Sequence, residues 1–174
     1  RAASARESNL PDGGAHLAVR LGGSVLRLYD DVEAASPRCV SDAVVAGPHE
    51  HCYLKDVSQS AASVGALLRP GAIRAFLGCP PTELRNRHLP LDLFWPGQVE
   101  RLRDELNSEI DPDRQLAQLE SWLLARLRPQ HGLHPQVALA VQGLRQGRSV
   151  GELVADSGYS HRRFLDRFRD GLGL

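Results

Sequence analysis

The chain has 174 residues, 42% of them hydrophobic and 24% charged, with 21 basic residues balancing 21 acidic ones. This is ordinary composition for a soluble globular protein of one domain or two small ones. No apolar run of about 18 residues is present to cross a bilayer, and no charged-then-apolar leader opens the chain. Cys39, Cys52 and Cys79 are odd in number and lack metal-ligand spacing, which points to a reduced, cytoplasmic protein rather than a disulfide framework.

In chain order, the first signals are β. Residues 16–21 (HLAVRL) alternate apolar and polar, and a second alternating run, SVLRLY, follows a Gly22-Gly23 pair. Two short runs around Gly-Gly predict a hairpin, with Val25 on one face and Leu26 and Leu28 on the other. The stretches 39–47 (CVSDAVVAG) and 63–71 (SVGALLRPG) continue the pattern, each closing on glycine. Short strands at even spacing predict a small antiparallel β-barrel or sandwich, cupin-like in character.

The texture turns helical after Pro80. Val99, Leu102 and Leu106 recur at steps of three and four on one helix face. A second helix follows, with Asp111 as N-cap, Pro112 at the first helical position and a stripe of Leu116, Leu119, Leu123 and Leu127. The stripe is expected to pack within the chain, with a homodimer through these connecting helices as the other use of the same face. Residues 128–135 (RPQHGLHP) read as a linker.

The last segment predicts three helices. The first opens at Pro135, with Val137, Val141 and Leu144 on one face, and closes at Gly147. Ser149 and Glu152 form the S-x-x-E capping box of the second, which ends at Gly158. Ser160 caps the third, residues 161–170. The order of helix, short helix, glycine turn and helix is the tri-helical helix-turn-helix pattern. In the third helix Phe164 and Phe168, four apart, are expected to point inward, leaving arginines on the opposite face. From Arg128 onward seven arginines stand against four carboxylates, a balance of +3 that the rest of the chain offsets. An outward arginine can grip phosphates or bond two acceptors of guanine in a major groove.

At these residues the sequence resembles a known family. SVGELVADSGYSHRRFLDRFRDGLGL is similar to the first helix-turn-helix of AraC/XylS-type transcriptional regulators. The match lies at Leu153, Gly158-Tyr159-Ser160, the Phe164 and Phe168 pair, Arg169 and Gly173. Upstream, LPDGGAHLAVRL, VAGPHE, LLRPGAIRAFLGCPPTELRNRHLPL and LESWLLARL resemble the N-terminal domain that precedes this region in one branch of the family. The resemblance implies a sequence-specific regulator that binds double-stranded DNA and has a sensory or oligomerising N-terminal domain, the sensory case answering to a small-molecule effector. Outward residues early in the third helix, His161, Arg162, Leu165 and Asp166, would read bases. With Ser160, Arg163, Arg167 and Arg169 they make up the expected DNA-binding set. Asp166 stands where a basic residue is frequent in the family, and Val154 where a small one is usual. Family members carry two such units. With no methionine and an end at Leu174, the chain is expected to be a fragment whose second unit lies further on.

The expected organisation is α+β. Residues 1–79 form a β-rich sensor-like domain, 80–130 connecting helices, and 131–174 a helix-turn-helix domain cut short on its C-terminal side. No catalytic role is expected, because G-x-S-x-G, phosphate-cradling loops and convincing carboxylate pairs are all missing. No cofactor or metal is expected either. His49 and His51 would share a face on a strand, as paired metal ligands do, but PHEHCY reads as a polar loop. Arg69 in LRPG could hold an anion, although Pro-Gly is an ordinary turn. The rival classes are a small barrel enzyme with an appended helical domain, and an interaction adaptor using the Leu116 to Leu127 face.

Overall fold

The computed structural model describes residues 5–23, 25–31, 33–58, 62–128 and 133–173. Its strands are β1 (Arg6–Asn9), β2 (Ala15–Arg20), β3 (Arg27–Tyr29), β4 (Arg38–Cys39), β5 (Ala43–Ala46), β6 (Tyr53–Asp56), β7 (Ser63–Leu68) and β8 (His88–Pro90). They form two antiparallel four-stranded sheets, ordered β1-β6-β3-β4 and β7-β2-β5-β8. The helices are α1 (Ala72–Leu77), α2 (Val99–Ser108), α3 (Pro112–Leu124), α4 (Pro135–Arg145), α5 (Val150–Ser157) and α6 (His161–Leu172). The fold is α+β. Among the described residues the two sheets stay separate, so the barrel alternative gives way to two open sheets.

The hairpin expected around Gly22-Gly23 does not form. β2 is hydrogen-bonded on both edges, to β5 and to β7. No edge is left for β3, which pairs with β4 and β6 in the other sheet. Residues Leu21–Gly23 make a 3₁₀ turn instead, and the Gly22 N–H donates to Asn107 Oδ1 at 2.9 Å. The run at 39–47 breaks for the same reason. Its start is β4 in one sheet and its end is β5 in the other, with Ser41 and Asp42 at the crossing. Asp42 is anchored there by Arg103 of α2.

Alternation along β2 sends its residues two ways. Ala15, Leu17 and Val19 enter the main core, where they meet Val45, Val64, Leu84, Leu91, Val99, Leu102, Leu106, Leu119 and Leu123. His16, Ala18 and Arg20 face the other sheet. Leu26, Leu28 and Val44 form a smaller core between the sheets. The second sheet takes its last strand, β8, from beyond residue 79, so sheet and connecting segment interleave at the expected boundary.

The face predicted for α2 is buried: Val99, Leu102 and Leu106. Asp111 caps α3, accepting from the Asp113 N–H at 3.0 Å. Gln115 joins the two helices by donating to the carbonyls of Leu106 and Glu109. The leucine stripe divides. Leu119 and Leu123 are buried, whereas Leu116 is 52% exposed and Leu127 38%. The buried line of α3 is Gln115, Leu119 and Leu123, which leaves Leu116 at its margin, and Leu127 lies beyond the end of the helix.

Ala140, Leu153 and Phe164 form the core of the three C-terminal helices, with Val154, Tyr159, Leu165 and Phe168 packed around it. α4 buries Val137, Ala140 and Gly143, not the expected Val137, Val141 and Leu144; Leu144 is 39% exposed. The small residues let Leu153 approach the α4 backbone. The last helix is seated on the N-terminal body: Gly173 lies against the Pro81 backbone, and Arg74 of α1 pairs with Asp170 at 3.2 Å. The expected linker at 128–135 falls partly outside the described residues, at 129–132, as does Ser24 in the second alternating run. Among the described residues no helix is long and apolar enough to cross a membrane.

Candidate functional sites: the α6 surface and the inter-sheet cavity

Local chemistry sets the entry to α6. In the capping box of α5, Ser149 Oγ accepts from the Glu152 N–H, and the Glu152 carboxylate accepts from the Ser149 N–H. α5 ends at Gly158, whose φ of 68° is costly for any residue with a Cβ. Ser160 Oγ then accepts from the Arg163 N–H at 3.3 Å and starts α6. Ser160 is therefore engaged as the cap of the helix.

On α6, Phe164 is buried and Phe168 partly so, their rings stacked at 6.0 Å. His161, Arg162, Arg163, Asp166, Arg167 and Arg169 are exposed. Arg163 lies over the Tyr159 ring at 5.0 Å, and Arg169 is 4.0 Å from Asp166. Asp166 thus tempers the charge of its neighbour on this face. Leu165, expected to point outward, is half-buried beside Phe164. A surface of this kind can place guanidinium groups against a polyanion.

The second site is a cavity of about 270 Å³ between the sheets. β2 contributes His16 and Arg20, β6 Tyr53 and Lys55, β1 Asn9, and β8 His88. His16 Nε2 lies 2.9 Å from Asp12 Oδ2. The Asp12 carboxyl is held below its ordinary value by the Gly14 N–H and by His16, although burial opposes the shift. The rings of His49, Tyr53 and His88 meet with centroids 4.6–4.8 Å apart. Residues 47–52 are not strand, so His49 and His51 do not act as a pair. His49 Nδ1–H donates to the Gly47 carbonyl at 2.7 Å, and His51 is exposed. Among the described residues no three His, Cys, Asp or Glu side chains gather as a metal site.

Burial pushes His88 down to about 3, with His49, Arg38 and His16 adding repulsion. It is therefore a neutral imidazole at physiological pH. The unfolded chain takes up a proton near pH 6.5 that the folded chain refuses until about pH 3. Stability is unaffected by His88 above pH 6.5 and declines as pH falls through that window. Between pH 6.5 and 5 the loss is roughly 2 kcal/mol. Urea unfolding at the two pH values should show it, and His88→Phe should remove most of the difference; an equal loss in that variant would contradict the assignment.

The sequence reading singled out the α6 residues but not Asn9, Tyr53 or His88. Alternation already put His16, Ala18 and Arg20 on one face of β2. Nothing local told which strands would stand opposite. A family model described as a domain of unknown function, DUF6597, matches residues 1–90, just over half of the chain. No curated protein matches, and no solved structure does.

Proposed function

Because the chain belongs to the DUF6597 family, whose matched region contains both sheets and the cavity, we propose that residues 1–90 are the ligand-responsive part of a sequence-specific transcription regulator. In this reading α4, α5 and α6 are a helix-turn-helix unit, and α6 enters the major groove of double-stranded DNA. The observation that carries the proposal is the build of α6. Its inner side is pinned by Phe164 and Phe168, and its outer side offers His161, Arg162, Asp166 and Arg169 to a partner. The turn at Gly158 and the Ser160 cap are among the residues on which the resemblance to AraC/XylS-type regulators rests. The exposed Leu116 and Leu124 of α3 (52% and 58%) support self-association through that helix.

Arg162 follows the cap on the outer face, and no ion pair holds it among the described residues. Its base contact is tested on duplexes selected by the protein from a randomised pool. Arg162→Ala should cost about 1–3 kcal/mol at the selected site and relax preference at one base position. Unchanged affinity with unchanged preference would remove Arg162 from the interface. Failure of the intact protein, with any second unit in place, to enrich any duplex would sink the regulator reading.

A further inference from the structure

A sheet edge presents a row of unpaired N–H and C=O groups, and proteins blunt such edges with short strands, charge or proline. The two sheets have four edge strands, β1, β4, β7 and β8. β1 carries Arg6 and Glu7, β4 is two residues long with Arg38, and β8 is three residues long and ends in Pro90. β7 has none of these devices. It is six residues long and reads SVGALL. Among the described residues it pairs with β2 on one side and with no strand on the other. Alternate residues of such a strand turn their N–H and C=O groups outward, and the partner that satisfies them is another strand.

The surroundings of the edge narrow the choice of strand. β7 forms one wall of an open groove whose other walls are α1 and α3. Val64 and Leu68 face the core with Leu119 and Leu123, which leaves Leu67 on the opposite face of β7, 64% exposed. On α3, Leu116, Glu120 and Leu124 recur at steps of four beside the buried line, and all three are exposed along the groove. Among the described residues, the charged side chains lining the groove are Arg69 and Glu120, and neither is held in an ion pair. A patch with one cation and one anion attracts a copy of itself turned by a two-fold, and it offers no net charge to steer an acidic or a basic partner. A two-fold across β7 also sets the strand antiparallel to itself, the pairing that both sheets already use.

We propose that the groove binds a second copy of this chain. The two β7 edges pair antiparallel about a two-fold and join two four-stranded sheets into one. Leu67, Leu116 and Leu124 are covered in the same contact, and Arg69 meets Glu120 across the two-fold. The proposal gives the self-association inferred from α3 its surface and adds β7 to it; it does not require that the protein bind DNA.

Sedimentation velocity of the full chain over a range of concentrations tests it. A dimer should form, and Leu67→Lys and Leu124→Lys should each raise its dissociation constant about tenfold or more. Both positions are exposed, so the variants fold, and circular dichroism checks that they do. Arg69→Glu should weaken the dimer, and adding Glu120→Arg to it should restore the affinity. Amide exchange at residues 64–68 should slow as the concentration passes through the dissociation constant. A chain that stays monomeric overturns the proposal, as does a dimer that both lysine variants leave unchanged. A dimer whose β7 amides exchange as fast as the monomer's joins elsewhere and overturns it too. The measurements involve no DNA. This dimer in a protein that enriches no duplex leaves the interface standing and removes the regulator; duplex enrichment by a chain that remains monomeric does the reverse.

Discussion

Gly47→Ala should destabilise the protein by about 3 kcal/mol or more, the upper end of what overpacking costs. A Cβ at this position would sit 1.9 Å from the Leu84 carbonyl oxygen and 2.6 Å from the Leu84 Cβ. The obstacle is backbone, and Leu84 is fully buried, so no side-chain rotation relieves the clash. The contact is one of several that clasp residues 47–50 to residues 84–88. The Gly47 N–H donates to the Arg87 carbonyl, and the Asn86 N–H to the Pro48 carbonyl. Arg85 makes a two-pronged ion pair with Glu50, worth little by itself at this exposed position. The clasp also sets the ring contact between His49 and His88, with centroids 4.6 Å apart. Denaturant unfolding followed by far-UV circular dichroism measures the effect. A Gly47→Ala midpoint equal to that of the parent protein would mean that the two segments are not seated this closely.

Phe164→Ala should cost about 3–5 kcal/mol, and the loss should fall on the three C-terminal helices. Phe164 is 5% exposed and touches the core made with Ala140 and Leu153. Few other large apolar side chains are buried there, so the site has little with which to refill the cavity. α6 would keep its Ser160 cap and its seat on Pro81, but neither fixes the rotation of the helix about its axis. Amide hydrogen exchange should therefore show α4, α5 and α6 opening ahead of the two sheets. A single cooperative transition near parental stability would contradict a core centred on Phe164.

The parts of this protein legible in its sequence are those whose causes lie within a few residues. The Ser149–Glu152 capping box, the Gly158 turn, the Ser160 cap and the Asp111 cap each rest on hydrogen bonds spanning three residues or fewer, or on one backbone dihedral. The outer face of α6 belongs to the same class, because helical periodicity alone separates Arg162, Asp166 and Arg169 from Phe164 and Phe168. Alternation likewise told that Leu17 and His16 point to opposite sides of β2.

Partnership between distant segments was decided by the tertiary structure. Gly22-Gly23 satisfies the local rule for a hairpin, yet β2 finds better-covered edges on β5 and β7, and β3 is sent to the other sheet. Periodicity groups Leu116 with Leu119 and Leu123, but the packed face of α3 is centred on Gln115, Leu119 and Leu123 and leaves Leu116 at its margin. Leu165 was drawn half inward by the packing of Phe164 against Ala140 and Leu153. The cavity lay furthest from any local signal. Asn9, Tyr53 and His88 stand on three strands of two sheets, and only the closure of those sheets brings them together. Burial is a property of what stands opposite a residue, and hydrogen bonds between neighbours in the chain carry no information about that.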